Sequence, residues 1–169
     1  QSVETIIKAA EKLENEKIHF HIVGGGTNLE RLQVLAKNLK NITFYGRRPL
    51  EEMPKFYAKA DAMLVTLKAD PVLSLTLPGK VQSYMAVGKP IIGAINGETV
   101  KVVDEAKCGY CAPAEDVDAL VKVITLFANS NQKKQMGLNA RAFSEEYFDR
   151  KKFMDKLEWE FNSKVFDDK

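Results

Sequence analysis

From Ile18 to Pro113 the chain alternates short apolar runs with segments of helical period, and few folds are open to such a pattern. "IHFHIV" (18–23), "ITFYG" (42–46), "AMLVTL" (62–67), "PIIGAI" (90–95) and "GYCAP" (109–113) predict strands. "LERLQVLAKNL" (29–39), "LEEMPKFYAKA" (50–60), a segment over 78–87 and "GETVKVVDEAK" (97–107) predict helices between them, and 67–77 reads as irregular. Thr27 with Glu30 three residues on has the pattern of a capping box at the first of these helices. "QSVETIIKAAEKL" opens the chain as a helix with Val3, Ile6, Ile7, Ala10 and Leu13 on one face. Three helices end it, over Val117–Ala128, Gln132–Phe148 and Lys151–Val165. Strands joined by helices of this length require a parallel sheet covered on both faces. The expected class is therefore α/β, a doubly wound and mostly parallel sheet of about five strands with C-terminal helices. Such sheets bind ligands at the carboxyl ends of their strands. That rule lines up Gly24–Gly26, Gly46–Arg48, the 67–80 stretch and Asn96–Glu98 along one edge.

Composition narrows the function classes. At 169 residues, 45% hydrophobic and 28% charged, the chain suits one globular domain with a real core. A net charge of +2 makes no field suited to nucleic acid. Cys108 and Cys111 form a lone C-x-x-C, and the only histidines, His19 and His21, alternate along one strand and share a face. That is too few soft ligands for a zinc site, and a C-x-x-C on a strand lacks the helix start that activates a redox pair. Reduced thiols and a cytoplasmic setting follow as expectations. No apolar run approaches the ~20 residues of a membrane span.

Three stretches carry chemistry. "VGGGTNLERL" places Gly24, Gly25 and Gly26 between a strand and a helix, as a phosphate loop would, or simply as a tight turn. It is not G-x-G-x-x-G, since Leu29 stands where the third glycine would be. Tyr45 and Gly46 end the next strand, where a ribose-binding acid would be needed. "FYGRRP" offers Tyr45, Gly46 and Arg47 as a stacking surface and a cation for a nucleotide, or else is a solvated basic turn. "LTLPGKVQSYMAVGKP" is the strongest. Pro78, Gly79 and Lys80 open a helix closed by Gly88, with Val81, Tyr84 and Met85 facing the core. A lysine in a helix's first turn opposes the positive N-terminus, a cost of a few tenths to about 1 kcal/mol. A bound anion would reverse that cost, and glycine would let it approach the backbone N–H groups. The bland alternative is a Lys80 that snorkels into water.

Taken in order, "FHIVGGGTNLERL", "NITFYGRRPLEEMPKFYAKADAMLV", "SYMAVGKPIIGAINGETVKVV", "CGYCAPAEDVDALVKVI" and "GLNARAFSEEYF" resemble the C-terminal, donor-binding half of GT-B glycosyltransferases of the large retaining family 4. The resemblance spans nearly the whole chain and is nearest to a branch in bacterial surface-polysaccharide and cell-envelope assembly. It implies a Rossmann-like fold, a UDP- or GDP-sugar donor, a saccharide or lipid-linked acceptor, and no metal or other cofactor. Nucleotide-sugar binding then falls to Gly24, Gly25, Gly26, Tyr45, Gly46, Arg47, Pro78, Gly79, Lys80 and Ser83. Lys80 would stabilise the leaving diphosphate. The family's paired glutamates align with Leu75 and Ser83 here, a departure at the ribose and sugar contacts. The resemblance further implies that an N-terminal acceptor domain, and the first strand of this domain, precede Gln1 in the full-length protein. It implies peripheral association at the inner face of the plasma membrane for that form. The stripe Phe153, Met154, Leu157 and Phe161, with Trp159 on another side, is expected to contact that domain or to self-associate.

Two rival readings remain at this level. A UDP-sugar 2-epimerase shares the GT-B fold but needs acid/base carboxylates in the cleft, and no convincing pair stands out. A Rossmann-like binding or regulatory module, such as a receiver, would cluster aspartates at strand ends, whereas Asp61 and Asp70 are isolated.

Overall fold

The computed structural model describes residues 1–149, 151–152, 154–155 and 157–159. In chain order the elements are α1 (Val3–Lys12), β1 (Phe20–Val23), α2 (Leu29–Leu35), β2 (Ile42–Gly46), a 3-10 turn (Leu50–Glu52), α3 (Met53–Lys59), β3 (Met63–Thr66), α4 (Pro71–Ser74), α5 (Gly79–Ala86), β4 (Ile91–Ala94), α6 (Glu98–Glu105), β5 (Gly109–Ala112), α7 (Val117–Ala128) and α8 (Lys133–Tyr147). Every strand pair among the described residues is parallel. The five strands form two sheets, β1–β2 and β3–β4–β5, rather than the single expected sheet. The unpaired edges of β1 and β3 border one cleft of about 1480 Å³, which Phe20, Ile22, Met63 and Leu64 line from the two sides.

Strand periodicity decides which side each residue buries. Ile92, Ala94 and Ala112 face a core built with α1, α7 and α8 from Ile6, Ala9, Ala10, Leu13, Leu120, Ile124, Phe127 and Met136. Their neighbours Ile91, Ile95 and Val65 face the other core, with Val81 and Met85 of α5, Val103 of α6 and Ala140 of α8. The three-stranded sheet is thus covered on both faces, as the apolar runs require. In contrast α2, β2 and α3, on the far side of the cleft, contribute no fully buried residue.

Several local expectations are corrected. The capping box at Thr27 and Glu30 does not form. Asn28 is the N-cap of α2, without a side-chain bond, so the helix starts one residue later and Glu30 falls a position short of the box geometry. That helix also stops at Leu35 rather than Leu39. The irregular stretch after β3 contains a one-turn helix whose N-cap is Asp70, its Oδ1 accepting from the Val72 and Leu73 amides at 2.8 and 3.1 Å. Asp70 is therefore a cap followed by proline at the first helical position, a signal present in "ADPV". Pro54 stands in the first turn of α3, where its missing N–H costs nothing. Gly88 takes the left-handed conformation, φ +68°, after α5, as its punctuation implied. Of the C-terminal stripe, Phe153 and Phe161 lie outside the described residues, while Met154, Leu157 and Trp159 are exposed.

Gly97 is the tightest backbone position near the carboxyl edge. It has φ +76°, and a Cβ there would overlap the Ser74 carbonyl. The Thr99 hydroxyl donates to the Thr76 carbonyl at 3.3 Å and holds the same loop against α6. Gly97→Ala is expected to cost about 3 kcal/mol or more, from steric overlap with backbone plus left-handed strain. Chemical denaturation of the 169-residue chain measures it, and a loss under about 1 kcal/mol would contradict the packing argument.

Candidate functional site

The wide cleft runs along the β1 and β3 edges to the carboxyl ends of the strands, and half of the ten residues singled out by sequence line it. Gly24, Gly25, Gly26, Tyr45 and Lys80 line it, together with Lys68, Arg48, Tyr84 and Glu115. Gly46 and Arg47 adjoin it through the glycine turn: the Gly24 amide donates to the Gly46 carbonyl at 2.9 Å, and a Cβ on Gly25 would come 3.2 Å from the Arg47 Cβ. A side chain at 25 would thus press on Arg47, which would have to give by a few tenths of an ångström. Gly46, with φ +66°, bends the chain out of β2 so that Arg47 and Arg48 project from the strand's end. Pro78, Gly79 and Ser83 stand outside the residues lining the cleft, next to Lys80 on α5.

Tyr45 lines the cleft with a ring that is already engaged. Its hydroxyl bonds His21 Nδ1 at 2.9 Å and its edge meets Phe56 with ring centroids 5.0 Å apart. His19 and His21 share one face of β1, as alternation requires, and His19 Nε2 bonds the Thr43 hydroxyl at 2.8 Å. Partial burial, then the neighbouring His19 and Lys59, hold the His21 imidazole below its usual pKa. Arg48 is braced by its Nε donating to the Tyr45 carbonyl at 3.1 Å and by Glu52 at 3.9 Å.

Helix α5 presents its N-terminus to this region without a side-chain cap, because Pro78 at the N-cap offers none. Gly79 has an ordinary φ, and a Cβ placed on it would meet no atom within 4 Å. Neither backbone strain nor packing demands glycine there. The same holds at Gly26. Lys80 is half-buried, and burial lowers its ammonium below the usual lysine pKa. Among the described residues no carboxylate stands within 4 Å of it. The Ser83 hydroxyl donates back to the Gly79 carbonyl at 3.2 Å and keeps its lone pairs as acceptors.

Two side chains tie the loops of this edge together: Asn96, which the strand-end rule already placed here, and Glu115, which was not singled out in the sequence. Asn96, at the end of β4, accepts the Ala114 amide on Oδ1 at 3.0 Å, and Glu115 accepts the Ala69 amide on Oε2 at 3.0 Å. Ahead of a helix capped by Asp116, Glu115 reads as an ordinary turn residue; only its left-handed backbone sets it apart. The cysteines are free thiols, and burial pushes both up to about 12. At pH 8 the thiolate fraction of each is then only about 10⁻⁴, so iodoacetamide should leave the native chain unlabelled while labelling the denatured chain. Rapid labelling of native protein would contradict this burial. Among the described residues no group of His, Cys, Asp or Glu could hold a metal ion, and no helix is long and apolar enough to cross a membrane.

The chain is 30% identical over 128 residues to the probable glycosyltransferase WbjE of Pseudomonas aeruginosa, covering 73% of this chain and 32% of WbjE. It is 33% identical over 126 residues to the putative colanic acid biosynthesis glycosyl transferase WcaI of Escherichia coli K12, covering 72% of this chain and 31% of WcaI. It thus spans about a third of the length of these relatives. The structure of Anabaena Alr3699/HepE in complex with UDP and glucose superposes with a TM-score of 0.71 at 20% identity, over 94% of this chain and 45% of that one. The fold is therefore shared with a little under half of that protein. The family model for glycosyl transferases group 1 matches residues 1–143, and the chain belongs to that family.

Proposed function

We propose that these 169 residues are the donor-binding part of a retaining glycosyltransferase that moves a hexose from a UDP- or GDP-sugar to a growing polysaccharide or lipid-linked saccharide. The observation that carries the reading is α5: an uncapped N-terminus, a glycine that the protein's own packing does not require, and a half-buried lysine with no carboxylate partner among the described residues. A diphosphate there would accept from the free N–H groups and pair with the Lys80 ammonium. As the glycosidic bond breaks, negative charge develops on that diphosphate, and fixed positive groups stabilise it more than they stabilise the donor. The arrangement performs the task usually given to Mg²⁺, so no metal is needed in this reading. Arg47 and the Gly24–Gly26 turn would bracket the donor from the other side, with Ser83 nearest the ribose. The relative named for colanic acid biosynthesis, and the structural neighbour that holds UDP, support a nucleotide-sugar donor and a surface-polysaccharide acceptor.

The same reading assigns the length of the cleft between the β1 and β3 edges to a strand from the longer protein, and its mouth at the carboxyl ends of the strands to the donor. The Ser2 amide donates to the Thr66 carbonyl at 3.4 Å, so α1 starts beside the carboxyl end of β3. A strand leading into α1 would run parallel to both neighbours, in a right-handed connection, and would pair both open edges. The acceptor half of the protein would precede it. Product analysis with the longer protein, nucleotide-sugars and a saccharide acceptor tests the whole. A new glycosidic bond of retained configuration is expected. An epimerised nucleotide-sugar without transfer would overturn the reading.

A further inference from the structure

We propose that Glu115 is a positioning residue: its carboxylate latches the loop leaving β3 to the loop leaving β5 and so fixes the approach to α5 and Lys80. Its consequence for catalysis rests on the donor-site reading above. Glu115 has φ +64°, a left-handed conformation that a non-glycine side chain adopts at a cost. Glycine would make the same turn without strain. A glutamate there therefore points to its side chain, and that side chain crosses the edge of the sheet. Oε2 accepts the Ala69 amide at 3.0 Å, 46 positions away in the chain.

The latch is anchored behind as well as in front. Asn96, at the end of β4, holds the adjacent Ala114 amide at 3.0 Å, and Asp116 caps α7 through the Ala119 amide at 2.9 Å. Glu115 thus stands between two fixed neighbours and joins the ends of β3, β4 and β5. Downstream of Ala69 the loop is pinned by Asp70 on Val72 and Leu73, and by Thr99 on Thr76, just ahead of Pro78. Glu115 supplies the pin at the loop's start, where Lys68 and Lys80 line the same cleft.

Two substitutions in the longer protein separate the latch from the turn. Glu115→Gly removes strain and carboxylate together. If Glu115 only shapes the turn, that variant should be at least as stable and as active as the parent. If it is a latch, thermal stability holds or rises while the donor KM increases roughly 10-fold with a smaller change in kcat. Backbone amide exchange over residues 67–77 should then accelerate by about tenfold or more. Glu115→Gln keeps an acceptor oxygen and loses the charge, so it should restore both readouts to within about 3-fold of the parent. Unchanged exchange and KM in Glu115→Gly would overturn the proposal. So would a Glu115→Gln variant as impaired as the glycine one, since charge rather than hydrogen bonding would then be responsible. Exchange is read without donor. A parent protein that binds no nucleotide-sugar would fail the donor reading and leave the latch to be judged on exchange alone.

Discussion

Lys80→Ala in the longer protein is expected to lower kcat/KM for sugar transfer by roughly 10²-fold or more, the usual loss when one preorganised charge contact to a leaving group is removed. Stability should not fall with it. The ammonium is half-buried and has no carboxylate partner among the described residues, and burial lowers its pKa, so in the empty protein the charge opposes folding. The melting temperature should hold or rise while activity collapses, a pairing that a solvent-exposed lysine would not show. Lys89 gives the contrast. Its ammonium donates to the Ala58 and Ala60 carbonyls at 3.1 and 2.7 Å, at the end of α3. Lys89→Ala should cost about 1 kcal/mol of stability and leave kcat/KM near that of the parent.

The sign of the pH effect follows. An anion favours the protonated lysine, so donor affinity should fall as pH rises through the depressed pKa of Lys80 in the free protein. Lys80→Ala should flatten that alkaline limb. Small and equal losses for both lysines would put Lys80 in solvent.

The second large effect is an absence of turnover. The 169-residue chain by itself should transfer no detectable sugar from UDP- or GDP-sugars to a saccharide or lipid-linked acceptor. It spans 32% and 31% of the two relatives, and in the donor-site reading proposed above the site closes between this part and an acceptor half. The open edges of β1 and β3 add a second reason. Without a strand between them, α2, β2 and α3 bury little, and the two sides of the cleft that would grip the donor are joined by few contacts, among them α1 against α2 and β3 and the Tyr57 ring against Tyr84. Donor binding by the chain alone should be in the high micromolar range or weaker, about −5 kcal/mol. Unpaired edges of this kind also invite association, so size-exclusion chromatography should show concentration-dependent self-association. Robust transfer by the chain alone would mean that its own residues complete both halves of the site, and the domain argument would fail.

Much of the architecture is legible in one dimension because it depends on near neighbours. Ile91 and Ile92 must face opposite sides of a strand, and they occupy different cores. Gly88 after α5 and the paired histidines on β1 follow from the same local geometry. The order of strands and helices places the glycine turn and Lys80 at one edge because parallel crossovers leave little choice. Tertiary structure decided what depends on distant partners. Glu115 looks like any turn residue until Ala69 arrives from 46 positions away. Gly79 and Gly97 each open a helix in the sequence, and nothing nearby distinguishes them. Gly97 is required because the Ser74 carbonyl packs where its Cβ would be, while beside Gly79 that space is open. Whether such a space is filled or left free is set by which remote segment folds against it, and local periodicity carries no record of that.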